Sequence, residues 1–149
     1  MRKTNKNFLM AGAFIMSLLP MIAGAAGTTP EGLWQAFNDQ GKLTGYIRVT
    51  EHQGIYRGVV EKGLPTDTAD KKCTACKDYR KDQPMLGMEI FAGVRRNGEV
   101  FDGGEILEPF SGNVYQVKIE MQESGNIMKV RGYQGVSLFG RTQYWRREE

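Results

Sequence analysis

Along residues 114–122 the side chains alternate without a break. Val114, Gln116, Lys118, Glu120 and Gln122 form one set, nearly all polar, while Tyr115, Val117, Ile119 and Met121 form the other, all apolar. A period of two belongs to a strand with one face in water and the other in a core. A helix would scatter the same residues around its circumference. The chain therefore builds a sheet with a wet side and a dry side.

Composition extends that reading. After Ala26 there are only six Leu and four Ala, whereas 17 of the 19 Gly remain. Helices favour Ala and Leu and are weakened by Gly, so strands and tight turns are expected throughout. Turn-forming residues cluster at 38–42, at His52-Gln53-Gly54, at Asn97-Gly98, at 109–113 and at 123–126. Asn97-Gly98 is a strong signal for a two-residue hairpin, because both residues tolerate positive φ. These boundaries predict strands over 33–37, 43–51, 55–61, 86–95, 99–107, 114–122, 127–133 and 141–147. An even-numbered meander that closes has no exposed edge, and eight strands leave an interior that is filled or holds one small ligand. The expected fold is all-β, an eight-stranded antiparallel up-and-down barrel, with a two-sheet sandwich as the alternative. Val59-Val60 and Gly103-Gly104 interrupt the alternation and mark expected bulges.

Residues 1–25 read as a targeting segment. Arg2, Lys3 and Lys6 precede an apolar run over 8–22, and small residues follow in Ala23-Gly24-Ala25-Ala26. A cleaved signal peptide is expected, leaving 26–149 as a single domain in the periplasm or outside the cell. An uncleaved anchor is the weaker alternative, since Pro20 bends the run and small residues end it. The chain carries 20 Lys+Arg against 17 Asp+Glu, and that excess of three is Arg2, Lys3 and Lys6. Residues 26–149 are thus neutral, which argues against a nucleic-acid partner, since that would need a basic face. No later segment is long and apolar enough for a membrane-spanning helix.

Residues 63–84 do not fit the meander. They are polar, contain both cysteines and read as a lid or binding loop. Cys73-Thr74-Ala75-Cys76 has Lys77 where haem attachment needs His, and a tetrahedral zinc site lacks two further ligands, because the single His52 sits in a separate turn. A local disulfide pinning the loop remains, as does a reactive dithiol whose thiolate Lys71, Lys72 and Lys77 would favour. With one histidine there is no nucleophile–base–acid set. Asp102, Glu105 and Glu108 read as solvated charges, and no phosphate-cradling Gly-rich loop is present. No enzyme activity and no cofactor are expected.

Candidate binding residues follow from the strand faces. Tyr115, Val117, Ile119 and Met121 would form a ligand-facing wall, with Arg131, Tyr133 and Arg141 as polar anchors. Trp34 on the first strand and Trp145-Arg146 on the last would be neighbours in a closed meander. An arginine stacked on an indole would plug one barrel end.

The ordered set Gly32-x-Trp34, Cys73-x-x-Cys76, Gly103-Gly104-x-Ile106, Pro109 with Gly112 and Tyr115, Arg131-Gly132-Tyr133-x-Gly135 and Phe139-Gly140-Arg141-Thr142-x-x-Trp145 resembles domain-of-unknown-function family 2147. The resemblance covers nearly all of residues 26–149. It implies an exported Gram-negative bacterial protein with a lipocalin-like calycin barrel and a small-ligand cavity. The Gly-x-Trp start with a late arginine is similar to the lipocalin signature. The family often has Trp where Phe101 stands and Asp-Pro where this chain has Glu108-Pro109. No catalytic residues carry over. The expected function is an exported binding protein for a small apolar or amphipathic molecule. The alternatives are an envelope interaction or stress protein with a filled barrel, and a redox role for the cysteine pair.

Overall fold

The structure, a computed structural model, describes residues 29–63, 71–136 and 138–148. The expected signal peptide and its cleavage point lie outside the described residues. Eight strands follow in order: β1 (Gly32–Phe37), β2 (Leu43–His52), β3 (Ile55–Lys62), β4 (Glu89–Asn97), β5 (Val100–Glu108), β6 (Asn113–Gln122), β7 (Ile127–Tyr133) and β8 (Gly140–Arg147). Each is antiparallel to the next, and β8 returns to β1 through Trp34↔Arg147 and Gln35↔Arg146. The sheet is a closed up-and-down barrel, as expected. Among the described residues there is no α-helix, only a short 3-10 turn at Glu123–Gly125.

Local chemistry sets the turns. Gln53 and Gly54 both take positive φ, 52° and 77°, between the closing pair His52↔Ile55. That handedness matches the twist of the flanking strands. The β4–β5 turn is centred one residue later than the sequence suggests. Asn97 pairs with Val100, so Gly98-Glu99 turns the chain, and the Asn97 amide donates to the Asp102 carboxylate at 3.2 Å. β4 begins at Glu89 because residues 85–88 form a turn, closed by Met88 N–H on the Met85 carbonyl.

The expected bulge at Gly103-Gly104 is present, with an extra β5 residue between Phe101 and Gly104 against β6, whereas beside Val59 the extra residue is Ile90 on β4, between the pairs Gly58↔Phe91 and Val59↔Glu89. Gly103 has φ 80°, and a Cβ on Gly104 would strike the Ala92 carbonyl oxygen. Only glycine lets the wall fold that tightly.

One half of the barrel is solid. Trp34, Val49, Phe91, Val94, Phe101, Val117, Ile119 and Met128 are almost wholly buried there, and Tyr56 meets Phe101 edge to face with ring centroids 5.1 Å apart. The end beyond them is locked by Arg147, whose guanidinium lies 4.3 Å from the Trp34 ring centroid. It donates to the carbonyls of Gly125 (2.8 Å), Glu31 (2.6 Å) and Thr29 (3.1 Å). Trp34 in turn donates its indole N–H to the Pro30 carbonyl at 2.7 Å. Gly32 takes φ 133°, and a Cβ there would collide with the guanidinium.

This corrects the expected plug. The arginine on the indole is Arg147 and not Arg146, because a strand alternates: Trp145 and Arg147 point inward, and Arg146 points out, over the Phe37 ring at 5.5 Å. Trp145 lies one layer up from the lock.

Cys73 and Cys76 form a disulfide. The expected lid is described only in part: residues 72–84 form a strap on the outer wall, and residues 64–70 lie outside the described residues. Cys73 and Cys76 cover Leu107 and Val114 from outside, with Met88, in a second small core. Val114 is the one apolar member of the polar set on β6, and the strap is why. The strap is held by Cys73 N–H on the Gln83 carbonyl, Asp82 N–H on the Cys73 carbonyl and a Lys72↔Pro84 bridge. A Cβ on Gly112 would strike the Ala75 carbonyl oxygen, so glycine is needed where strap meets barrel.

Candidate functional site

Above the solid half the interior is open. A cavity of about 790 Å³ occupies the end where the β1–β2, β3–β4, β5–β6 and β7–β8 connections gather. Its walls are Ala36, Gly45, Ile47, Val60, Ile90, Ile106, Val130 and Gly132, and Trp145 lies at its floor beside Phe91. The cavity follows from side-chain size. Inward positions near the lock carry Trp34, Tyr56, Phe101 and Met128, whereas those near the opening include Ala36, Gly45 and Gly132. Gly45 lines the cavity, and a Cβ there would fit, meeting only the Lys62 carbonyl oxygen at 3.5 Å in ordinary contact. Within this apolar wall Gln143 accepts the Trp145 indole N–H at 3.0 Å. The site is an apolar pocket with a few placed polar groups, the usual make-up of a small-molecule site.

The mouth is polar. Asn38, Lys42, Lys71, Glu108, Tyr133 and Arg141 border it. Arg141 on β8 donates to Asp39 in the β1–β2 connection at 2.9 Å and to Glu108 at the end of β5 at 2.6 Å. The hydrogen bond to Asp39 and the negative charge of both carboxylates raise the guanidinium above its ordinary value. One half-exposed cation thus ties two separate parts of the rim together.

Of the residues singled out from the sequence, Tyr115, Tyr133 and Arg141 border the cavity. Val117 and Ile119 share the inward face with Tyr115 but lie in the packed half, fully buried, with no open space beside them. Met121 packs against the same core nearer the lock. Arg131 faces outward: its neighbours Val130 and Gly132 line the interior, and its guanidinium donates to Thr142 Oγ1 at 2.7 Å and to the Leu138 carbonyl at 3.0 Å. The sequence reading missed Ile47, Val60, Ile90, Ile106 and Gln143. Only the register of the closed barrel places these inward positions at the open end with Ala36, Gly45 and Gly132. Among the described residues no group of three or more His, Cys, Asp or Glu is placed to hold a metal ion.

Residues 32–147 match the profile of a family described as "Uncharacterized protein conserved in bacteria", domain of unknown function 2147. The chain belongs to this family. No curated protein matches the chain. Among solved structures it is similar to a protein of the human pathogen Helicobacter pylori that is described as belonging to the lipocalin family. The two are 17% identical and superpose with a TM-score of 0.68, over 80% of this chain and 82% of the other. At that identity the likeness is one of fold, and the family member described here has a lipocalin-like barrel.

Proposed function

We propose that this member of the family is an exported bacterial binding protein that holds one small apolar or amphipathic molecule in the barrel cavity. The observation that carries the reading is the contrast inside one barrel, a packed half and an open half of about 790 Å³. A protein whose barrel served only as a scaffold would fill both halves, since empty apolar volume is destabilising. Ligand burial against Ile47, Val60, Ile90, Ile106 and Val130 would supply affinity at roughly 25 cal/mol per Å². Gln143 and Arg141 would orient a polar end. The signal-like segment at residues 1–25 supports export, with the periplasm as the first compartment reached.

The redox alternative draws little support from the geometry. Cys73 and Cys76 are 0% and 2% exposed. An attacking thiolate must reach a disulfide sulfur, and both are sealed against Met88, Leu107 and Val114.

Native mass spectrometry of protein exported by its own host tests the ligand reading. A stoichiometric adduct that is lost on solvent extraction is the expected result. The Gly45→Phe variant should lack it while remaining folded. An adduct retained in that variant would place the ligand outside the cavity.

A further inference from the structure

The two ends of the barrel are built from different material. At the locked end the connections are Gln53-Gly54, Gly98-Glu99 and the Glu123–Gly125 turn, with no large apolar side chain among them. At the open end Leu86, Phe110, Val136, Leu138 and Phe139 stand in solvent, the last two and Phe110 being 78%, 73% and 67% exposed. Seven large apolar residues are exposed among the described residues, and these five share one end. They come from three separate connections, so the patch is a property of the end and not of one loop. An apolar cluster of this kind on a soluble surface marks an interaction site.

Charge says what it meets. Residues 85–88, 109–112 and 134–140 carry no charged side chain at all. Such tips can enter an apolar medium without taking a charge out of water. Behind them on the rim stand Lys42 and Lys71, together with Arg141 and its two carboxylates. Uncharged aromatic tips backed by lysines match a lipid surface, where apolar groups sink to the headgroup boundary and lysines meet anionic headgroups. The geometry points to the open end docking, mouth down, on an anionic membrane, with Phe110, Leu138 and Phe139 entering the interface. A molecule would then pass between bilayer and cavity without crossing water. Docking goes beyond the ligand reading and stands on the rim alone.

Flotation of the exported protein with vesicles tests it, without any cavity ligand added. On phosphatidylethanolamine vesicles containing phosphatidylglycerol the protein should float. The Phe110→Ser/Leu138→Ser/Phe139→Ser variant should lose at least about tenfold in binding, since three buried apolar side chains exceed that factor. Phe110→Ser alone should show a smaller loss, which guards against misfolding of the triple variant. Pure phosphatidylcholine vesicles should bind the unaltered protein more weakly. No flotation, equal flotation of the triple variant, or a dimer in sedimentation equilibrium that the triple variant abolishes would each overturn the proposal; the last would give the patch to a second copy of the chain. A protein that floats but carries no adduct keeps this proposal and fails the ligand reading.

Discussion

Replacing Arg147 separates the lock from ordinary surface chemistry. Three of its donors reach the carbonyls of Thr29, Glu31 and Gly125, and its plane covers the Trp34 indole. A hydrogen bond from a charged group contributes about 1.5–3 kcal/mol when buried, but this guanidinium keeps some solvent contact, so about 1 kcal/mol each is the fair figure. The cation–indole contact adds about 1 kcal/mol. Arg147→Gln should therefore cost about 3–4 kcal/mol, a large share of the 5–15 kcal/mol typical of a domain. Arg147→Lys keeps the charge but cannot span three carbonyls and the ring together, so about 2–3 kcal/mol is expected. With a urea slope of about 2 kcal/mol/M, the midpoint should fall by roughly 1–2 M. Arg146→Ala, one residue away and outward, should shift stability by less than about 0.5 kcal/mol. Equilibrium urea unfolding followed by tryptophan fluorescence measures all three. If Arg147→Lys matched the unaltered protein, or if Arg146→Ala cost as much as Arg147→Gln, the account of the lock would be wrong.

Further outcomes follow from other parts of the fold. Gly45→Phe should fill empty volume at little cost, within about 1 kcal/mol, and abolish uptake of a fluorescent apolar probe; unchanged uptake would contradict the cavity assignment. Cys73→Ser/Cys76→Ser opens a loop of four residues and should cost about 2 kcal/mol on chain-entropy grounds, with faster tryptic cleavage at Lys77 and Lys81 read by mass spectrometry. Arg141→Ala should leave stability within about 1 kcal/mol, since its ion pairs are exposed, yet speed probe release in stopped-flow measurements by loosening the rim. Lys129, and then Lys118, hold the Glu120 carboxyl below its ordinary value. A lowered folded value means that stability from this group is present above about pH 4.3 and is lost as pH falls through the folded value. Glu120→Gln should accordingly flatten the acid side of a melting-temperature profile by an amount below about 1 kcal/mol.

Most of the fold was legible because strands announce themselves locally. Alternation and turn chemistry place the eight strands within a few residues, and the doublet Gly103-Gly104 marks a real bulge. The site was harder. Periodicity shows that Tyr115, Val117, Ile119 and Met121 share a face, but depth along the barrel is a property of all eight strands together. Only register shows that Tyr115 stands beside Ile106 and Gly132 at the cavity wall while Ile119 meets Phe101. Arg146 and Arg147 are adjacent in sequence, and parity alone decides which enters. That residues 72–84 form a strap was not legible, because its partners, Leu107 and Val114, sit on outward positions that alternation assigns to water.

The lock also fixes where the first strand begins and the last one ends. β1 starts and β8 finishes at the same pole, with Thr29, Glu31 and Arg147 bonded together. The opening lies a strand's length away, about 20 Å for eight tilted residues. An affinity handle, a fluorophore or a surface linker joined after Arg147 would therefore hold the barrel upright with its opening unobstructed. Immobilised that way, the whole population would present one face to whatever flows past.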